Sequence, residues 1–178
     1  MRAAIVLAAG RSRRFGQANK LLARYRGKRL VEHAVAAALA APAGRVIIVA
    51  GGDVRVARAV RALGGPRLSV VTSLARHRHA NLKRGLQALR AHENEVFVFL
   101  GDMPDCPQGI GRRLAGKKGN FVRAVHRCVP GHPILIRNPR AVRARLERGK
   151  RPFESGQAVR IEAGKGAIRD IDRPGDLR

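Results

Sequence analysis

Residues 3–8, 46–49, 68–71 and 96–100 are short apolar runs, and a segment with helical character separates each from the next. Runs of this length between glycine, proline and charged residues read as buried strands. Residues 30–41 are alanine-rich and apolar all round, a helix stopped by Pro42 and Gly44. Asp53 can cap a second helix running to Leu63, and residues 80–91 give a third. Strand and helix in alternation predict an α/β fold, Rossmann-like and three-layered, with a mostly parallel sheet and right-handed crossovers. The second half differs. Residues 121–126 and 133–136 are strands with too short a link for a crossover, so an antiparallel portion is expected. A helix over 139–147, short strands near Val159 and over 167–171, and a turn over 172–176 complete the reading. No repeat or linker interrupts residues 1–178, so one domain is expected.

No apolar run is long enough for a membrane helix. The N-terminal apolar stretch is a strand's length and leads into Gly10-Arg11-Ser12-Arg13-Arg14, which does not fit the anatomy of an export signal. A cytoplasmic location and no membrane partner are therefore expected. Cys106 and Cys128 match neither a disulfide framework nor a zinc spacing. Cys106 stands close to a carboxylate motif and is expected near the active site without acting in it.

The formal charge is +25, and of the 37 basic residues seven are lysine and the rest arginine. Such a charge suits polyanions, nucleic acid among them. Two features point away from specific nucleic-acid binding. The basic residues spread along the whole chain, and no Trp, one Tyr and five Phe supply few stacking surfaces. An anionic small-molecule substrate fits the charge equally well.

Ligands of doubly wound sheets sit beyond the carboxyl ends of the strands. Two such places carry unusual residues. Leu7-Ala8-Ala9-Gly10-Arg11-Ser12-Arg13-Arg14, followed by Lys20, is a small-residue loop whose N–H groups could cradle phosphate while Arg14 and Lys20 neutralise it. The alternative is a plain basic turn, since neither a Walker loop nor GxGxxG is present. Gly101-Asp102-Met103-Pro104-Asp105 presents a carboxylate at a strand end, where it could hold Mg2+. A helix cap is the other role open to an Asp here, and Asp105 suits it better than Asp102.

These residues, taken together, resemble the molybdenum cofactor nucleotidyltransferases. Leu7-Ala8-Ala9-Gly10-x-Ser12-x-Arg14-x-Gly16 with Lys20-Leu21-Leu22 is similar to their N-terminal signature, and Gly101-Asp102-Met103-Pro104 to their metal motif. Gly131-His132-Pro133 resembles their Gly-His-Pro loop, and Asp170-Ile171-Asp172-x-Pro174-x-Asp176-Leu177 their C-terminal DIDTPEDL. Ala9 makes the loop LAAG, the form of the cytidylyltransferase branch, rather than LAGG. The resemblance implies a nucleotide-diphospho-sugar transferase fold. It also implies transfer of CMP from CTP to the terminal phosphate of the molybdenum cofactor, with Mg2+ and release of pyrophosphate. In that reading residues 7–12, Arg14 and Lys20 bind the nucleotide, and Arg14, Lys20 and Asp102 are catalytic. Asp102 and Asp172 hold the metal, and Asn81 and His132 meet an anionic phosphorylated acceptor. A molybdoenzyme or its chaperone is the candidate protein partner. Asp172 can also be a turn residue and His132 a hydrogen-bonded loop histidine.

Two segments depart from that branch. Arg76-His77-Arg78-His79-Ala80-Asn81-Leu82 replaces Glu-Gly-Met-Ser-Ser-Ser-Leu, and Arg148-Gly149-Lys150-Arg151-Pro152-Phe153 replaces Gly-Asp-x-Gly-Ala-Arg. His77 and His79 lack a third nearby ligand for a metal. Both departures fall on the acceptor side. This leaves open a sugar phosphate or other phosphorylated metabolite as acceptor, or a basic binding module that has kept the fold without catalysis.

Overall fold

The computed structural model describes residues 1–10, 12–16, 18–153 and 158–178. The chain opens with β1 (Arg2–Ala8), then 3-10 turns at Arg13–Phe15 and Lys20–Leu22 and a small hairpin, β2 (Arg24–Tyr25) and β3 (Lys28–Arg29). There follow α1 (Leu30–Ala40), β4 (Arg45–Ala50), α2 (Val54–Arg61), β5 (Leu68–Thr72), α3 (Arg78–Gln87) and β6 (Glu95–Leu100). The second half adds α4 (Ile110–Ala115), β7 (Phe121–His126), β8 (Val129–Ile136), α5 (Pro139–Glu147) and β9 (Ala158–Glu162). The seven-stranded sheet runs β5-β4-β1-β6-β8-β7-β9. Its pairings are parallel except the two made by β8, with β6 and with β7. The expected antiparallel portion is thus a single reversed strand.

Alternate residues of the central strands face opposite layers, as the two-residue period of a strand requires. Val6, Val46, Ile48, Phe97 and Phe99 pack with Val31, Val35, Val56, Val60, Ile110 and Leu114, the side covered by α1, α2 and α4. Ile5, Ile47, Val49, Val96 and Val98 pack with Leu82, Leu86, Val142 and Leu146, the side covered by α3 and α5. Each fully buried aliphatic side chain contributes about 2 kcal/mol. Helix α3 lies so close to the sheet that a Cβ on Gly85 would come within 3.0 Å of Ile5. Asp53 caps α2 as expected, accepting from the Arg55 N–H at 3.0 Å.

The structure corrects four local expectations. Residues 167–171 form no strand. A 3-10 turn, Lys165–Ala167, precedes an unpaired stretch, because this segment packs across the sheet's end instead of along its edge. Asp105 caps no helix. Helix α4 begins five residues later behind Gly109, and the Asp105 carboxylate is taken by side chains from elsewhere. Gly131-His132-Pro133 lies inside β8 rather than in a loop. Arg123 pairs with Ile134 and Val125 with Pro130, so these three residues together oppose Ala124. That bulge takes in Pro133, and Pro130 stands at its border; a proline cannot donate to a ladder. The third helix begins and ends earlier than expected, over Arg78–Gln87.

Candidate active site

Strand β1 has β4 on one side and β6 on the other, and the chain reaches them in separate excursions. This is the topological switch point, where a crevice opens beyond the strands' carboxyl ends. The loop after β1 is closed by its own side chains. Ser12 sits in the left-handed region (φ 49°) and its Oγ accepts from the Lys20 N–H at 3.0 Å. Asn19 Oδ1 takes the Leu21 N–H at 3.1 Å, and Asn19 Nδ2 donates to Asp53 Oδ2 at 3.1 Å. Asp53 is also bound by Arg55, and chiefly this hydrogen bond holds its pKa at about 2. The loop is thereby tied to the start of α2.

This closure delivers the Lys20 side chain into the crevice, where it is almost fully buried. Its Nζ lies 2.7 Å from Asp102 Oδ2 and 2.7 Å from Asp172 Oδ1. Arg14 Nη1 binds the other Asp172 oxygen at 2.6 Å. Burial alone would lower the Lys20 pKa. Asp102 first and Asp172 second outweigh it, so the ammonium is held above its ordinary value. Asp172 is held below the ordinary carboxylate value, chiefly by its hydrogen bond from Lys20. Lys20 is therefore a cation clamped between two carboxylates, one from mid-chain and one from the C-terminal segment.

Three adjoining spaces surround the clamp. One of about 620 Å³ is lined by Gly10, Ser12, Arg14, Lys20, Asp102 and Asp172, together with Arg76 and His77. A second, of about 410 Å³, shares Gly10, Arg14, Lys20, Arg76 and Asp102 and adds Leu7, Ala9, Arg78 and Asn81. The third, about 380 Å³, lies on the other side of Ala9 and Gly10, against Ala8, Gly51, Gly52, Asp53 and Ser73. Arg76 and Arg78 form no ion pair among the described residues. In the first two spaces their charge, with that of Arg14 and Lys20, is set against Asp102 and Asp172 alone among the acidic lining residues, which suits an anionic ligand.

The structure thus brings together Leu7, Ala8, Ala9, Gly10, Ser12, Arg14, Lys20, Asn81, Asp102 and Asp172. Arg11 lies outside the described residues. His132 lines none of these three spaces and is half-buried below them, with Nδ1 3.3 Å from the Val98 carbonyl. Burial pushes its pKa down to about 4, and the charges of Arg123 and Arg78 act in the same direction. The ring is neutral near pH 7 and could meet a ligand only as a hydrogen-bonding group. Asn81 is buried and accepts from Ser73 Oγ at 2.7 Å. Cys106 packs against the α1 and α4 core, and burial pushes its thiol up to about 12, which makes it unreactive. Sequence reasoning missed Asn19, whose position just before Lys20 was the available signal, and it missed Arg169, discussed below. Asp102 and Asp172 offer hard oxygen donors of the kind Mg2+ and Mn2+ accept.

The fold has known counterparts. Over the whole chain, Rv0371c from Mycobacterium tuberculosis H37Rv is 25% identical, with 96% of its own length covered and a TM-score of 0.81. A manganese complex of Rv0371C from the same organism superposes at a TM-score of 0.78, with 24% identity over 99% of this chain and 95% of that one. The 4-diphosphocytidyl-2C-methyl-D-erythritol synthase of Anaerococcus prevotii shares the fold, with a TM-score of 0.80 and 14% identity over 99% of this chain and 92% of that one. No curated protein matches the chain in sequence. The model of the MobA-like NTP transferase domain matches residues 4–162, from β1 through β9. The chain is therefore a member of the MobA-like NTP transferase family, whose reaction is nucleotidyl transfer.

Proposed function

We propose that this protein transfers CMP from CTP to the terminal phosphate of the molybdenum cofactor and releases pyrophosphate. The observation that carries the reading is Lys20, held between Asp102 and Asp172 in the wall of a cationic crevice of about 620 Å³. An oxygen of the acceptor phosphate attacks the α-phosphorus of the nucleotide. The bond from that phosphorus to the bridging oxygen breaks, and pyrophosphate leaves with the electron pair. The nucleophile is already ionised near neutral pH, so no general base is required. Arg14 and Lys20 orient the triphosphate and neutralise the charge on the departing pyrophosphate. Asp102 and Asp172 are the residues that would hold a divalent cation, Mg2+ in our reading, and the manganese complex of Rv0371C supports a metal in this fold. When bound, the cation neutralises phosphate charge. Leu7, Ala8, Ala9 and Gly10 form the wall along which the nucleotide lies, and Ala9 in the LAAG loop supports cytidine.

On the acceptor side Arg76, Arg78 and Asn81 face the crevice. These arginines support an anionic acceptor. They also favour a second reading in which another phosphorylated metabolite accepts the nucleotidyl group, because the cytidylyltransferase branch carries small hydroxyl residues here. The test is incubation with CTP, GTP or ATP, Mg2+ and molybdenum cofactor, with pyrophosphate and the dinucleotide product measured. The first reading expects product from CTP with this cofactor. Pyrophosphate released only with a sugar phosphate supports the second, and none with any pairing contradicts both.

A further inference from the structure

Asp172 reaches the site on a segment that neither helix nor sheet holds. Among the described residues after Ile168, the single backbone bond to the rest of the protein runs from the Ile171 N–H to the Asp102 carbonyl, at 2.9 Å. Side chains fix the segment instead, with Ile171 fully buried and Arg169 making the polar contacts behind Asp172. Arg169 Nη1 donates to Asp105 Oδ2 at 2.7 Å and to the Tyr25 hydroxyl at 2.9 Å, and its Nη2 donates to the Asp176 carbonyl at 3.0 Å. The Tyr25 hydroxyl in turn donates to Asp105 at 3.0 Å, and Arg26 adds a bond at 3.2 Å. Tyr25 is 4% exposed and packs with Ile171, Phe15 and Leu30, so the anchor is rigid. Asp105 is three residues from Asp102, and Arg169 three residues from Asp172. The clamp therefore ties together the two short segments that present the site's carboxylates. Asp176 fixes the far side, its Oδ2 accepting from the N–H groups of Asp172 at 2.9 Å and Arg173 at 2.8 Å.

We infer that Arg169, held by Asp105 and Tyr25, is a positioning residue that sets Asp172 against Lys20 and Arg14. An ordinary surface ion pair contributes little to stability and nothing to the site. Here the partners converge from three parts of the chain, and Asp105 is 17% and Arg169 29% exposed. The inference rests on the proposed role of Asp172 in holding the cation.

The experiment compares Arg169→Gln, Arg169→Lys and Tyr25→Phe with the unaltered chain. It reads Mn2+ binding by electron paramagnetic resonance in the presence of CTP, kcat and KM for CTP, and the melting temperature. Arg169→Gln is expected to weaken Mn2+ binding and lower kcat, each by about tenfold, as loss of a partner behind a metal ligand does. KM for CTP is expected to move less. Arg169→Lys restores part of both, and Tyr25→Phe, which keeps the ring in its core, gives a smaller loss in the same direction. Unchanged Mn2+ binding and kcat in Arg169→Gln overturn the inference. So does a lowered melting temperature with normal Mn2+ binding in the folded protein. If the unaltered chain binds neither Mn2+ nor CTP, the functional reading itself fails, and the inference with it.

Discussion

Lys20 and Asp172 stand 152 residues apart in sequence, yet Nζ of one lies 2.7 Å from Oδ1 of the other. Asp102 completes the contact from the second side. In this arrangement the ammonium sits where two carboxylates could otherwise share a divalent cation, so ligand binding must move or neutralise it.

Replacing Lys20 by Met therefore has two opposite effects. Without nucleotide, Mn2+ binding is expected to tighten, because a competing cation is gone from between Asp102 and Asp172. Nucleotidyl transfer is expected to fall by about a hundredfold or more, since a charge that stabilises the leaving pyrophosphate is lost. Paramagnetic resonance titration and single-turnover kinetics read the two separately. Asp102→Asn is expected to lose both metal binding and transfer.

Gly166 marks how tightly the C-terminal segment is seated. A Cβ there would fall on the Asp105 carbonyl oxygen, and one on Gly131 would fall on the Ala167 carbonyl oxygen. Backbone cannot yield as a flexible side chain does. Gly166→Ala is expected to cost about 1–3 kcal/mol in urea unfolding. It is also expected to weaken Mn2+ binding, because the segment carrying Asp172 is displaced.

Far from the site, Arg45 and Glu93 form a two-point pair, Nε to Oε1 at 2.8 Å and Nη2 to Oε2 at 2.6 Å, with Glu93 5% exposed. Burial alone would raise the Glu93 pKa, but the Arg45 hydrogen bond, with the Arg90 N–H, holds it below the ordinary value. Arg45→Met leaves a buried carboxylate alone and is expected to destabilise the fold by about 3–5 kcal/mol. Arg45→Met combined with Glu93→Met is expected to recover much of that loss in the same unfolding assay.

His132 gives a pH dependence of stability. Its pKa in the fold is about 4, below the 6.5 of a free imidazole, so between these values the unfolded chain takes up the proton and the folded chain does not. Stability therefore rises with pH across that window and is lost as pH falls from about 6.5 to about 4. The charges acting on the ring are Arg123 and Arg78, which oppose its protonation, and Asp102, which favours it. His132→Gln is expected to flatten the dependence of melting temperature on pH in this range. An unchanged slope would show that other groups set it.

Much of this architecture could be read from the chain because buried parallel strands are short apolar runs and two of the helices carry their own caps. Asp53 before Val54 and Asn138 before Pro139 are these caps, each accepting from the first turn of its helix. What local pattern cannot carry is tertiary choice. Residues 167–171 have a strand's composition, but Gly166 and Ala167 pack against Asp105 and Gly131 and turn the chain across the sheet's end. Asp105 has a helix cap's chemistry, but Arg169, 64 residues on, takes it. The small hairpin at Arg24–Arg29 was missed although its turn, Arg26-Gly27, has φ of 46° and 81°, the left-handed geometry glycine favours. In the site, Lys20 was legible in the loop that follows the first strand and Asp102 at the end of the fourth apolar run. Asp172 was legible only through its resemblance to a known C-terminal motif, since nothing local says what a turn residue will touch.

On the proposed function, the crevice around Lys20 takes a specific nucleoside triphosphate with a divalent cation. Calorimetric titration with CTP, GTP and ATP in Mg2+ and moderate salt tests it most directly, with Lys20→Ala and Asp102→Asn alongside. CTP is expected to bind best, and both substitutions are expected to weaken it. Equal binding of all three nucleotides, unaffected by either substitution, would mean that the +25 charge alone attracts them, and would contradict the proposed function.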